Sequence, residues 1–204
     1  MGRSGSSALC ATVLALLLGG VGGTRAAETQ RIRGTIEQAN GSALTIATRE
    51  GSTVKLTLAP GARIAALVPA ELSSAGTGSF IGTAAVPQGD GTLRAQEVLI
   101  FPEAMRGVGE GHRAWDLTPD STMTNATVEA TVAGASGREL TLTYKGGQKQ
   151  LLVPPGTPIV TLEPGDASLL KAGNHVFLSA ETGADGALTA ARITVGKDGL
   201  VPPM

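Results

Sequence analysis

Four short landmarks occur twice in this 204-residue chain, in the same order and about 95 positions apart. GTIEQANGSALTIAT from Gly34 is matched by ATVEATVAGASGRELTLTY from Ala126, with Leu44 and Ile46 opposite Leu140 and Leu142. LAPGARIAAL from Leu58 is matched by VPPGTPIVTL from Val153. ELSSAGTGSFIG from Glu71 is matched by SLLKAGNHVFLS from Ser168, with Phe80 opposite Phe177. GDGTLRAQEVLI from Gly89 is matched by GADGALTAARITV from Gly183. A shared order of separate landmarks is what tandem duplication leaves. It restricts the fold to one that a unit of about seventy residues can build twice.

Within each unit the residues alternate as half-buried strands do. Leu44 and Ile46 alternate with Thr45 and Ala47, and Val54, Leu56 and Leu58 share one face. Asn40-Gly41, Glu50-Gly51, Pro60-Gly61 and Gly89-Asp90-Gly91 are turn signals. They predict strands over 32–39, 43–48, 53–58, 63–67, 79–85 and 92–101. In the second unit, Asp166 is placed to cap a single helical turn that Gly173 ends. Aromatic residues are 2% of the chain and AVILMFWYC residues 42%, so the core is built from Val, Leu, Ile and Ala. Short strands at this density leave exposed edges unless the sheet closes on itself. The expectation is therefore an all-β protein of two tandem small antiparallel β-barrels. Each is OB-like, with about six strands and one short helical turn, and an ordered irregular segment joins them. The boundaries are 27–101 for the first barrel, 102–124 for the joining segment, 125–196 for the second barrel and 197–204 for a tail. Phe80 and Phe177 read as inward core residues.

The first 26 residues have a different build. Arg3 is followed by an uncharged apolar run from Ala8 to Leu18, then by Gly19, Gly20, Gly22 and Gly23, with small residues at Thr24 and Ala26. This is the pattern of a Sec-type secretory signal peptide with cleavage after Ala26, and the run is too short to span a bilayer. Cys10, the sole cysteine, leaves with it, so no thiol chemistry is expected after export. Loss of Arg3 and Arg25 leaves 14 basic against 17 acidic groups, a net charge of −3. No basic stripe offers a nucleic-acid footprint, and no later stretch suits a membrane span.

LLKAG (Leu169 to Gly173), the Val176-Phe177-Leu178 strand and the DGALTAARITV ending from Asp185 resemble the DUF5666 family, exported bacterial proteins of unknown function. The resemblance covers both units. It implies a small β-barrel outside the cytoplasm and supplies no catalytic residues. The first unit departs from the pattern, with GTG where the second has GN and AQEV in place of AARI.

The joining segment, PEAMRGVGEGHRAWDLTPDSTMT from Pro102 to Thr124, carries the single tryptophan and one of the two histidines. A structureless run of this length is usually either functional or disordered, and the composition of this one is not that of a disordered segment. Met105, Val108, Trp115, Leu117 and Met123 call for burial, so the segment should be ordered across one barrel or in the groove between the two. His112, Arg113, Trp115 and Asp116 are the candidate ligand-binding residues. Trp115 is either a packing anchor or a surface on which a ligand stacks. Glu110, His112 and Asp116, with Met105 or Met123 nearby, are an alternative metal set. His112 and Asp116 lie four apart and so meet only on a helix, and cysteine ligands are absent. Otherwise these side chains pin the segment by hydrogen bonds. No G-x-S-x-G elbow, phosphate loop or dinucleotide fingerprint is present. The function expected is that of a non-enzymatic periplasmic or secreted binding or scaffolding protein, without a cofactor and with an envelope protein or polysaccharide as partner. A metal-handling accessory to transport is the alternative, and an enzyme of unknown class the third reading.

Overall fold

The computed structural model describes Met1, Gly2 and Thr29–Met204. The signal-peptide assignment and its cleavage point lie outside the described residues. The N-terminal half forms β1 (Thr29–Asn40), β2 (Ala43–Thr48) and β3 (Thr53–Pro69). A 3-10 turn at Leu72–Ser74 follows, then β4 (Phe80–Pro87), β5 (Leu93–Ala95) and β6 (Val98–Ile100). The joining segment has a 3-10 turn at Glu103–Met105 and β7 (Gly111–Ala114). The C-terminal half contributes β8 (Thr122–Gly134), β9 (Gly137–Tyr144), β10 (Gly147–Val153), β11 (Ile159–Pro164), β12 (His175–Thr182) and β13 (Leu188–Gly196). The protein is mostly strand, as the alternation and turn signals require.

The pairing differs from the expectation of one barrel per unit. Strands β1, β2 and β3 form an antiparallel meander, and the ring is closed by β12 and β13 from the other half. This is a five-stranded barrel whose last contact, β13 against β3, is parallel. The remaining strands repeat the arrangement. β8, β9 and β10 form the meander, and β4 and β5 from the N-terminal half complete a second ring. The halves have exchanged their closing strands. The ranges 27–101 and 125–196 therefore do not correspond to closed sheets.

The exchange happens where β3 runs on past its own ring. Pro60-Gly61 was expected to end a strand. Instead Gly61 takes a left-handed conformation (φ 72°) within β3, at a bulge where the pairing with β13 skips from Leu58 to Arg63, a kink that glycine tolerates without a Cβ penalty. The corresponding Pro154–Gly156 stretch does break the ladder and separates β10 from β11. Beyond the kink, β3 pairs antiparallel with β11, Leu67 facing Leu162. β11 then runs parallel to β6, and β6 pairs with β4.

The ladders of the two halves correspond in register. β13 meets β3 with Ile193 opposite Ile64, and β6 meets β11 with Val98 opposite Ile159, both related by 95 positions. β12 meets β1 with Val176 opposite Gly34, and β4 meets β8 with Ile81 opposite Ala126. Leu67 and Leu162 thus face each other at a local two-fold. The same register corrects the alignment of the phenylalanines. Phe80 corresponds to His175, and Phe177 corresponds to Gly82.

Three apolar clusters hold this together. Ile32, Ile36, Leu44, Ile46, Leu178 and Ile193 fill the first ring. Ile81, Val98, Val128, Leu140, Leu142 and Leu151 fill the second. A third lies between them, where Leu67, Leu99, Val160 and Met204 pack with Phe101, Leu162, Phe177 and Leu200. Narrow interiors of branched aliphatic side chains account for the scarcity of aromatics.

Candidate functional site

The two rings do not meet flush. A cavity of about 480 Å³ opens between them, in the size range of small-molecule sites. Its walls come from strands of both rings. β4, β6 and β8 bring Gly82, Leu99, Met123 and Asn125, with Glu97 just before β6. β12 and β13 bring Phe177, Arg192 and Thr194, and the joining segment adds Arg113 and Trp115.

Glu97 occupies the break between β5 and β6 and is fully buried. The main-chain N–H of Ala84 donates to its Oε1 at 3.1 Å, while Oε2 has no partner among the described residues. Burial pushes its pKa up to about 8, against the opposing effect of the Ala84 hydrogen bond. At neutral pH the carboxyl is therefore protonated, and it has a proton to donate. Asn125 is 6% exposed. Its Nδ2 donates to the Val108 carbonyl at 3.0 Å, and its Oδ1 accepts nothing. Trp115 Nε1 is also buried without an acceptor. Buried polar atoms are nearly always paired, and an orphan costs roughly 1–3 kcal/mol. Three of the four such atoms among the described residues belong to residues lining this one cavity.

Positive charge gathers around Trp115. The guanidinium carbon of Arg31 lies 4.0 Å from the centre of the indole, with Arg113 at 5.7 Å and Arg33 at 5.8 Å. Phe177 tilts against the indole at 6.3 Å, and Arg33 lies 5.2 Å from the Phe177 ring. Asp116 accepts from Arg33 Nη2 at 2.7 Å and from Arg31 Nη1 at 3.3 Å. Partial burial works against the Asp116 charge. The hydrogen bonds and charges of Arg33 and Arg31 outweigh it and hold the carboxyl below its usual range. Arg33 also donates from Nε to the Met204 main-chain oxygen at 2.6 Å. Arg113 has no such carboxylate. It donates to the Gly109 carbonyl, and partial burial, then the charge of Arg31, lower its pKa.

The joining segment, expected to be irregular, contains a strand. β7 adds to the edge of β8, and the main-chain N–H of Trp115 donates to the Ser121 carbonyl. Arg106 holds the start of the segment through Glu103 and the Gly78 carbonyl. From this edge, Trp115 and Asp116 reach β1 of the other ring.

Of the four candidate binding residues, Arg113 and Trp115 line the cavity, and Asp116 orients the arginines beside it. His112 lies elsewhere. Neighbouring side chains on a strand point to opposite faces, and His112 pairs with Thr124 Oγ1 at 2.8 Å and stacks on Tyr144. Desolvation, then the charges of Lys149 and Arg113, lower its pKa. The metal set does not assemble. Glu110 accepts from the Lys145 N–H, His112 sits in a strand rather than a helix, and Asp116 is held by two arginines. No group of three or more potential ligands occurs among the described residues. The other histidine, His175, pairs with Thr35 and does not line the cavity. Phe177, expected in a barrel core, faces the cavity instead.

Sequence reasoning missed Glu97, Asn125, Arg31, Arg33 and Arg192. One signal was available for two of them. The AQEV/AARI difference puts Glu97 where the other half has Arg192, and both line the cavity. Comparison with protein-family models, with curated proteins and with solved structures returns no match. Among the described residues no helix is long and apolar enough to cross a membrane.

Proposed function

We propose that this chain is an exported, non-enzymatic binding protein, working in the periplasm or outside the cell, and that the cavity between its rings is the binding site. One observation carries the reading: three of the residues that line one apolar-walled cavity each hold a buried polar atom without a protein partner. Few polar groups set in apolar walls fix the orientation of a small ligand. The DUF5666 resemblance and the leader pattern support the compartment. The repeated ladder registers support descent of the halves from one duplicated OB-like unit. An envelope component is the natural source of the ligand in that compartment.

The test is a thermal-shift and tryptophan-fluorescence screen of the mature protein against a chemically diverse small-molecule library. Trp115 is the only tryptophan and reports directly. Ala191, exposed at the lining, gives the control: Ala191→Phe narrows the cavity without touching either ring's core. Hits that lose their shift in Ala191→Phe support the reading. A screen without hits, or hits indifferent to Ala191→Phe, would sink it.

A further inference from the structure

We infer that the cavity takes an amphipathic carboxylate whose apolar body carries a secondary amide, a ligand of the N-acyl amino acid class. The inference rests on the cavity being a binding site, as proposed above, and it adds the chemistry of the occupant.

The count of unpaired groups sets the polar centre of the ligand. Protonated Glu97 offers one O–H and Trp115 one N–H, while Asn125 Oδ1 offers an acceptor. A secondary amide is their complement. Its carbonyl has two lone pairs for the two donors, and its single N–H serves the one acceptor. An alkyl chain alone would leave all three groups unpaired, at a cost each. A polyol would satisfy them but waste the walls of Leu99, Phe101, Met123 and Phe177.

The charge of the ligand follows from the arginines. Arg113 and Arg192 line the cavity and form no ion pair among the described residues, whereas Arg31 and Arg33 share Asp116. Glu181 is the one lining side-chain carboxylate besides Glu97, and the latter is neutral at pH 7. A carboxylate suits a free guanidinium through charge-assisted, bidentate bonding. A cation would meet Arg113 and Arg192 with no side chain but Glu181 to offset them. The partial exposure of Arg113 and Arg192 places the charged end at the mouth and the acyl chain inward.

The experiment titrates four probes into the mature protein by calorimetry and Trp115 fluorescence: N-octanoylglycine, its methyl ester, octanoate, and octylamine. N-octanoylglycine should bind about tenfold or more tighter than the ester, which lacks the charge, and than octanoate, which lacks the amide. Octylamine should not bind. Arg113→Gln and Arg192→Gln should each narrow the preference of acid over ester, and the double variant should erase it. Glu97→Gln keeps a neutral donor and should retain the preference for amide over octanoate, and Glu97→Met should lose it. Equal binding of acid, ester and octanoate would overturn the inference, as would tighter binding of octylamine. If none of the four binds while library compounds do, the ligand class is wrong and the binding site stands. If the library also yields nothing, the cavity holds solvent alone and both readings fall.

Discussion

The two walls of the cavity are the same backbone with different side chains. One wall, on β12 and β13, carries Phe177 and Arg192, with Arg33 of β1 beside the Phe177 ring. At the corresponding places the other wall, on β8, β4 and before β6, carries Asn125, Gly82 and Glu97. The ring cores share their character at matched positions. Val98 and Ile193, or Ile81 and Val176, are all buried aliphatics. The difference is thus concentrated where the rings face each other. At these matched positions one wall is cationic and aromatic, the other neutral and hydrogen-bonding. A symmetric cavity would offer the same chemistry twice, whereas this one offers a charged end and a polar interior to a single asymmetric molecule. Even the glycine has a part in the difference. A Cβ at position 82 would lie 2.8 Å from Asn125 Oδ1 and 3.0 Å from the Phe101 ring, so the side chain absent there leaves room for the amide of Asn125.

The comparison presumes that each half lends its closing strands to the other, and that can be broken outright. A chain of residues 29–101 alone contains three strands of one ring and the closing strands of the other. It should not fold as a monomer. Isolated, it should be unfolded or should associate by reciprocal exchange, since its β1–β3 meander leaves two unpaired edges. Mixing it with 102–204 should restore a one-to-one complex with the circular dichroism of the intact chain. A monomeric, cooperatively folded 29–101 fragment would show that the rings close within each half.

Glu97 sharpens the difference between the walls, because its counterpart Arg192 is exposed and it is not. Its folded-state pKa is raised from 4.5 to about 8. Between these values the unfolded chain has lost the proton that the folded chain retains. Stability therefore falls as pH rises from about 4.5 to about 8 and levels off above. The full span is on the order of 5 kcal/mol. The charged side chains facing the same cavity are Arg113, Arg192 and Glu181. Glu97→Gln should flatten this slope and make the protein more stable than wild type at pH 9. Urea melts at a series of pH values would test it, and parallel slopes for both proteins would show that Glu97 ionises freely.

The strands were legible because period-2 alternation and turn glycines are local signals. Asn40-Gly41 and Asp185-Gly186 turn where the sequence says they should, and Asp166 caps its turn through the Ser168 N–H at 2.7 Å. Strand exchange was not legible. Pairing partners are chosen by edges and chain reach, and both ways of closing the rings bury the same aliphatic faces. The kink at Gly61 looked like a turn because glycine at φ > 0 serves both. Arg113, Trp115 and Asp116 drew notice as unusual residues in a long connection. Arg31 and Arg33 did not, since two arginines at the start of a strand suit an exposed face equally well. Phe177 was misplaced for a simpler reason. Matching like with like paired it with Phe80, two positions away from the register that the ladders define.

Whether the rings melt together is the next question. Ile193 in the first ring and Val98 in the second correspond, and both are buried to within 1%. Ile193→Ala should cost about 2–5 kcal/mol and Val98→Ala about half as much, from lost burial and the cavity left behind. Because the connections cross between rings, each substitution should lower one shared transition in scanning calorimetry. Two resolved transitions, with each substitution moving only one, would mean that the rings are independent units despite the exchange.

The smallest effect concerns the strap that ties the walls together at Trp115. Asp116 is half exposed, so its ion pairs with Arg31 and Arg33 are weak by the standard of buried ones. Arg33 is the exception on the arginine side, since its side chain is 9% exposed and Asp116 is its one carboxylate. Asp116→Asn keeps a hydrogen-bond acceptor and removes the charge. It should cost about 1 kcal/mol in global stability. Its local effect should be larger in proportion. With the tie loosened, β7 keeps its four-residue pairing to β8 and the His112–Thr124 bond but loses its link to the other ring, and the amides of 111–115 should exchange faster while those of β8 and β9 do not. Native-state hydrogen exchange separates these outcomes. Uniform acceleration across β8 and β9 would show that the strap is part of the ring's own stability. No change at 111–115 would mean that Trp115 holds the strap in place by packing alone.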